Sequence, residues 1–173
     1  MIIVAPAIVP FFISGGVLAL SLLAAMRDVI ARTVPNEWCG AIAIGGLMLR
    51  VMDGTVLRGP AIAFVLLLLL LPCWRYRLIG GGDVKLLSAC ALAAQPARIG
   101  ILVFDTALIG AMLGVVYLFA RRRVPRPRQL ASHSLPARIW RVEQWRLHRG
   151  GPLPYAVAIA LAFGLALVPG GSA

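Results

Sequence analysis

Acidic residues are scarce in this sequence: only six of the 173 residues are Asp or Glu, and only 13% carry any charge. Soluble domains are about 25% charged on average, whereas 61% of this chain is hydrophobic. That composition excludes an ordinary soluble domain and indicates a membrane protein. Because a helix that crosses a bilayer needs roughly 20 apolar residues, the chain has room for about five or six spans.

Paired cysteines and metal-ligand spacings are also missing. Cys39, Cys73 and Cys90 form no CxxC pair, which argues against both a disulfide framework and a zinc site. His133 and His148 lie in an arginine-rich stretch without further ligands at metal-binding spacing. We therefore expect no metal ion and no cofactor.

The charges that are present are mostly basic, and the formal net charge is +11. Such an excess can indicate a nucleic-acid-binding protein, but here the arginines lie in short segments between apolar runs. Positive residues collect in the cytoplasmic loops of membrane proteins. We therefore expect the partner of these residues to be a lipid bilayer and not a nucleic acid.

Apolar runs separated by polar or turn-forming segments predict an all-α, polytopic membrane protein with about six transmembrane helices in one bundle. The runs cover residues 2–26, 39–52, 61–74, 84–94, 99–120 and 153–168. The second and fourth runs are short, which leaves open whether they cross the membrane completely. We expect a single membrane-embedded domain over residues 1–173, with an Arg-rich cytoplasmic loop at about 121–150.

Basic residues are distributed unevenly between the two sides of this predicted bundle. The segments after the first, third and fifth runs hold most of them, and alternation of the spans puts these segments on one side. By the positive-inside rule that side is cytoplasmic, and both termini lie outside.

Two carboxylates fall at the cytoplasmic ends of predicted spans: Asp28 follows the first run, and Asp83 precedes the fourth. Ionisable groups near hydrocarbon are costly unless paired or hydrated, which makes them functional candidates. Two carboxylates in a partly dry site share one proton, and such a pair can activate water for peptide hydrolysis. Spacing alone does not establish that they meet. Asp83 could instead be a helix N-cap, and Asp28 a solvated residue among neighbouring arginines.

The residues around Asp83 have two interpretations each. Gly80 and Gly82 either let the backbone approach a substrate strand closely or only form the turn. Lys85 either offsets negative charge at the site or extends to the membrane surface. Asp105 lies inside the fifth run, and Arg98, seven residues earlier and on nearly the same helix face, is a candidate partner for it.

Three stretches of the sequence resemble one known family. Residues 80–86, GGGDVKL, match the GxGDxKL pattern of the prepilin peptidases, which are membrane aspartic proteases of the GxGD type. The stretch RDVIARTVPN resembles their first-aspartate region, in which an Asp after the first span precedes a Pro-Asn. The stretch PLPYAVAIALAFGL resembles their Pro-Tyr-containing final span. The order of the matches is that of the family, and the chain most resembles the short form found in Flp, or tight-adherence, pilus systems.

The resemblance implies an intramembrane aspartic endopeptidase, a hydrolase that cleaves the leader peptide of type IV, Flp-like prepilins at the cytoplasmic face of the bacterial inner membrane. It implies that Asp28 and Asp83 are the catalytic pair, and it makes Gly80, Gly82 and Lys85 the substrate-binding candidates. The expected partner is a prepilin with a basic leader and an apolar helix, and the oligomeric state is left open. Larger members carry paired cysteines linked to N-methylation, so we expect no methyltransferase activity here.

Two other functions are compatible with the same residues. The chain could be a non-catalytic membrane subunit of a pilus or secretion assembly. It could also be a small ion-coupled transporter that uses Asp28, Asp83 and Asp105 as cation sites. A transporter is expected to contain an internal repeat, and we find no convincing repeat in the sequence.

Overall fold

The computed structural model describes residues 5–123, 144–145 and 153–168, and within these ranges the regular structure is entirely helical. The helices are α1 (Ala5–Ala31), α2 (Asn36–Met52), α3 (Arg58–Arg75), α4 (Gly81–Ala93), α5 (Ile99–Arg123) and α6 (Tyr155–Leu167). These six helices correspond to the six apolar runs. The prediction of an all-α membrane protein is therefore confirmed.

Three of the described helices are long and apolar enough to cross a membrane, and they cover Ile8–Ala31, Arg58–Arg75 and Pro96–Arg123. The other three are shorter, with 17 residues in α2 and 13 each in α4 and α6. A 13-residue helix is about 20 Å long, whereas the hydrocarbon core of a bilayer is about 30 Å thick. The two shortest helices, α4 and α6, are also the most buried.

Small side chains allow α4 and α6 to occupy the centre of the bundle. Helix α4 packs against α2 and α3, α6 packs against α1 and α5, and the two central helices touch each other. Alanines account for most of the buried positions of α6, and Ala89, Cys90 and Ala91 are buried in α4. Without bulky side chains at these positions, the helix backbones can approach closely, as is common in membrane bundles.

The contact between α2 and α4 depends on Gly46. A Cβ atom at this position would lie 2.7 Å from the backbone nitrogen of Ala93. Only glycine therefore fits at this crossing without displacement of a backbone. The crossing matters for the site because α2 and α4 both begin beside Asp83.

At the end of the bundle opposite Asp83, a buried arginine joins two helices. Arg50 is only 2% exposed; its guanidinium donates a hydrogen bond to the carbonyl of Ala93 at 3.3 Å and pairs with Asp53 at 3.1 Å. The guanidinium thus binds one of the last carbonyls of α4, a group that has no partner within its own helix. Arg50 falls near the end of the second apolar run, and the structure buries it within α2.

The first helix continues beyond the predicted end of its apolar run at residue 26. Helix α1 extends to Ala31, so Asp28 lies in the last turn of a helix and not in a loop. Helix α5 likewise extends to Arg123. The predicted arginine-rich loop at about 121–150 therefore begins within α5, and the rest of it lies outside the described residues apart from 144–145. His133 and His148 are also outside them.

Candidate active site

Asp28 is held at the end of α1 by an unusual turn. Arg32, directly after the helix, has a φ of 55°, in the left-handed region, and its N–H donates to the carbonyl of Asp28 at 2.9 Å. A left-handed residue at this point ends a helix. The guanidinium of Arg27 lies 5.6 Å from the ring centroid of Trp38, which links the end of α1 to the start of α2. Asp28 itself is only 7% exposed.

Asp83 is placed by the glycine-rich start of α4. Gly80 is the N-cap of this helix, so Asp83 is its third residue and the N-cap interpretation of Asp83 is wrong. The side chain of Asp83 reaches back and accepts a hydrogen bond from the backbone of Gly80, as an acidic third residue does in a capping box. The carboxylate is therefore oriented by the helix that carries it.

These two aspartates, which are separated by more than 50 residues in the sequence, line the same two cavities. Both border a cavity of about 310 Å³ and an adjoining one of about 580 Å³, which we call the small and the large dyad cavity. Their carboxylates are close enough to interact electrostatically. Sequence spacing alone did not establish this juxtaposition.

Gly80 leaves room for the carboxylate of Asp83. Its backbone angles, φ −66° and ψ 142°, are accessible to any residue, so conformational freedom does not require glycine here. A Cβ at Gly80 would, however, lie 2.8 Å from Oδ2 of Asp83, whereas a Cβ at Gly82 would lie 3.3 Å from the side chain of Val34. Both glycines border the small dyad cavity.

Burial and the neighbouring carboxylate of Asp28 raise the pKa of Asp83 to about 6, while the backbone of Gly80 and the guanidinium of Arg32 act to lower it. Asp83 lies in the first turn of α4, outside the three long apolar helices. Because the two carboxylates interact, their protons belong to the pair. A pair of this kind can hold one proton near neutral pH.

Arg32 is a site residue that the sequence analysis treated only as part of a basic segment. It borders both dyad cavities together with the two aspartates, and it donates a hydrogen bond to the hydroxyl of Tyr117 on α5 at 3.5 Å. Thr33 and Val34, which follow Arg32, also border the small dyad cavity. Nothing in the local sequence pattern distinguishes it from the other arginines.

Lys85 and Tyr155 approach the site from two further directions. The ammonium of Lys85 donates to the side-chain oxygen of Asn36 at 3.0 Å, which joins α4 to α2, and both residues border the small dyad cavity. Tyr155, at the start of α6, borders the large one, and its hydroxyl donates to the carbonyl of Thr106 at 3.4 Å. The Pro-Tyr motif of the final span therefore lies at the site, although the sequence analysis named no site residue there.

A protein-family model provides independent support for the sequence resemblance. The model of the type IV leader peptidase family matches residues 16–119, a segment that contains both aspartates. The chain belongs to the type IV leader peptidase family. No curated protein and no solved structure matches the chain. The matched segment includes α2 to α4 and most of α1 and α5.

The remaining acidic candidate of this leader peptidase, Asp105, lies apart from the dyad cavities. Asp105 is half-buried within α5 and borders neither cavity. Arg98, its candidate partner, donates to the carbonyls of Ala166 and Val168 at the end of α6. Among the residues that the structure describes, no cluster of three or more His, Cys, Asp or Glu side chains could hold a metal ion.

Proposed function

We propose that this leader peptidase is an aspartic endopeptidase, with Asp28 and Asp83 as its catalytic pair, that cleaves the leader of Flp-like type IV prepilins at the cytoplasmic face of the inner membrane. The observation that carries the proposal is the meeting of the two carboxylates at the same cavities, from the end of α1 and the start of α4. Membership in a leader peptidase family supports the reaction type.

The proposed reaction uses the pair with one proton between its members. The ionised carboxylate takes a proton from a water molecule, whose oxygen attacks the carbonyl carbon of the scissile peptide. The protonated carboxyl gives its proton to the carbonyl oxygen, which forms a tetrahedral gem-diol. The C–N bond then breaks, and the leaving nitrogen takes a proton from the carboxyl that was formed in the first step. The other carboxylate recovers its proton from a gem-diol hydroxyl, and the starting state is restored.

Charge distribution supports a cytoplasmic location for the site. The end of the bundle that carries the aspartates also carries most of the basic residues in the described helices and their connections: Arg27, Arg32, Arg75, Arg77, Lys85, Arg121, Arg122 and Arg123. The opposite end has Arg50, Arg58 and Arg98. Positive charge is retained on the cytoplasmic side. A prepilin whose basic leader precedes an apolar helix would present its cleavage point at this depth.

Co-expression with a Flp-type prepilin tests the substrate directly. We expect the wild-type protein to convert the precursor to a shorter, membrane-held product, seen by mass spectrometry of isolated membranes. A precursor from a secretory pathway with an ordinary signal peptide should remain uncut by it. If no pilin-like precursor is shortened, the proposed substrate class is wrong.

Cleavage should depend on pH in a direction that follows from the raised pKa of Asp83. Below about pH 6 this carboxyl retains its proton, and as pH rises through 6 the proton is lost and a carboxylate pair with two negative charges remains. We therefore expect the cleavage rate in proteoliposomes to fall above about pH 6, approaching tenfold per pH unit, because one proton is needed.

Two arginines allow a matched test of the electrostatic cause of this pH dependence. Arg32 lowers the pKa of Asp83, so Arg32→Gln should move the falling limb of the pH profile to higher pH, and Arg32→Lys should restore it. Arg77 is the matched control because it also borders the large dyad cavity and also has a left-handed φ, of 58°. The electrostatic explanation would be contradicted if the falling limb of the pH profile shifted equally in Arg77→Gln, or did not shift in Arg32→Gln.

A methyl group at Gly80 should disturb catalysis without unfolding the protein. In Gly80→Ala the new Cβ would displace Oδ2 of Asp83 from its present position, and a displacement of about 1 Å can cost about 100-fold in rate. We expect kcat to fall about 10- to 100-fold with KM little changed. Gly100→Ala, where a Cβ meets nothing within 4 Å, should match the wild type. A rise in KM with kcat unchanged would instead point to a role of Gly80 in substrate binding.

A further inference from the structure

An apolar groove of about 500 Å³ lies between α2, α3 and α4. Its walls are formed largely by small or apolar side chains from these helices, including Gly40, Ala43, Ala63, Phe64, Ala89 and Leu92. The groove is distinct from the two dyad cavities, since neither aspartate borders it. The exposed surface of its walls is mainly apolar, so its natural occupant is apolar.

The groove begins where the small dyad cavity ends. Asn36 and Lys85 border both spaces, and the hydrogen bond between their side chains marks the boundary. From that pair the groove extends along α2 to Ala43 and along α4 to Leu92, seven residues in each helix. At the helical rise this corresponds to about 10 Å, or two turns of a helix. An extended chain cleaved at the dyad could therefore continue directly into the groove.

Small residues in the walls of the groove leave room for a helix from another protein to pack against α2 and α4. Gly40 is exposed, and a Cβ built there would meet no atom within 4 Å. Ala43 and Ala89 also line the groove without bulky side chains. Close approach of helix backbones in membranes relies on small residues of this kind, and an amphipathic or apolar helix in a groove is a common mode of peptide recognition.

We propose that this groove receives the apolar helix of the substrate, so that the peptide bond at the start of that helix lies between Asp28 and Asp83. This assignment rests on the proposed function and names its main recognition surface. Arg32, Arg77 and Lys85 surround the aspartates, so long-range charge would not attract a basic leader. Apolar packing along α2 and α4 therefore supplies the binding energy, and confinement to the same bilayer supplies the encounter.

Filling the groove at Gly40 tests the assignment. Leucine at this position has space for its side chain, and leucine favours a helix more than glycine does, so Gly40→Leu should fold. With a full-length precursor we expect kcat/KM to fall at least about tenfold, mainly through KM. With a short peptide that contains the scissile bond but not the apolar helix, the rate should equal that of the wild type. Gly100→Leu, equally free of neighbours but on α5, should match the wild type on both substrates.

The outcomes separate the groove from the dyad. Wild-type rates for Gly40→Leu on the full-length precursor would overturn the groove assignment. An equal loss on both substrates would also overturn it, because the leucine would then act on the catalytic pair. Failure of the wild type itself to cut the precursor would contradict the proposed function and not this assignment alone.

A crosslinking measurement covers the case in which the wild type cuts no short peptide. A small diazirine side chain is introduced at position 40, or at position 100 as the control, in the Asp83→Asn protein co-expressed with the precursor. We expect photocrosslinks from position 40 to the apolar helix of the precursor, and none from position 100. Equal crosslinking from both positions, or none from position 40, would overturn the assignment whether or not cleavage occurs.

Discussion

Asparagine in place of either Asp28 or Asp83 is expected to abolish leader cleavage, with a fall in rate of at least about 10³-fold. Asparagine has nearly the same shape as aspartate but can neither accept the proton of the attacking water nor return one to the substrate. Because the two carboxylates act as one pair, removal of either should have an effect close to that of removing both. The measurement is the mass of a co-expressed Flp-type prepilin in isolated membranes.

Stability measurements distinguish this loss from misfolding. Asp28 is buried and its charge raises the pKa of Asp83, so the neutral side chain of Asp28→Asn should relieve repulsion above about pH 6. We therefore expect thermal stability in detergent to stay the same or rise above that pH. Below it, where Asp83 already holds its proton, little change is expected.

Asp105 provides the matched control for both variants. It lies within α5, half-buried and outside both dyad cavities, so Asp105→Asn should cut at the wild-type rate. If Asp28→Asn or Asp83→Asn cuts at the wild-type rate, the catalytic pair is wrongly assigned. If all three changes abolish function alike, the intramembrane carboxylates act together, as the transporter hypothesis requires.

Leucine at Gly46 is expected to cause the largest loss of stability of any single change considered for this bundle. A single Cβ would already lie 2.7 Å from the backbone nitrogen of Ala93, and a backbone cannot rotate away as a side chain can. Overpacking of a core typically costs about 1–3 kcal/mol, and the rigid contact places Gly46→Leu at the upper end, about 3 kcal/mol. Thermal unfolding in detergent measures the loss.

The same change six residues earlier in α2 is the control. Gly40 faces open space, so Gly40→Leu should be as stable as the wild type or slightly more so because of its helix propensity. Equal stability of the two variants would contradict the close crossing of α2 and α4. Activity of Gly46→Leu should also fall, since α2 and α4, which both border the small dyad cavity, would separate.

Helix number and type were predictable because apolar composition is a local property. Each predicted run overlaps one helix, and even the short fourth run corresponds to α4. The helix ends were less predictable. Charged residues after position 26 suggested the end of the first span, but α1 continues to Ala31, and Asp28 in its last turn borders the large dyad cavity. A hydrophobicity pattern does not record such a cavity.

The candidate site was predictable to the extent that it depends on sequence motifs. The glycines before Asp83 indicated a turn followed by a helix, and the helix begins at Gly81, three residues before the predicted apolar run. The position of Asp83 within that helix was not predicted, because Gly80 is the N-cap and the carboxylate of Asp83 accepts a hydrogen bond from its backbone. Arg32 could not be identified from the sequence, since its role depends on a left-handed turn and on Tyr117, 85 residues away.

By itself, the amino-acid sequence determined that this chain is a helical membrane protein, which aspartates are candidates for catalysis, and which family it resembles. These conclusions depend on composition and on short motifs, which act over one or two helical turns. Only the tertiary structure decided that Asp28 and Asp83 line the same cavities, that Arg32 lies beside them, and that a groove continues from them between α2, α3 and α4. The reason is physical: close packing of small residues such as Gly46 determines how the helices cross, and helix crossings determine which distant side chains meet.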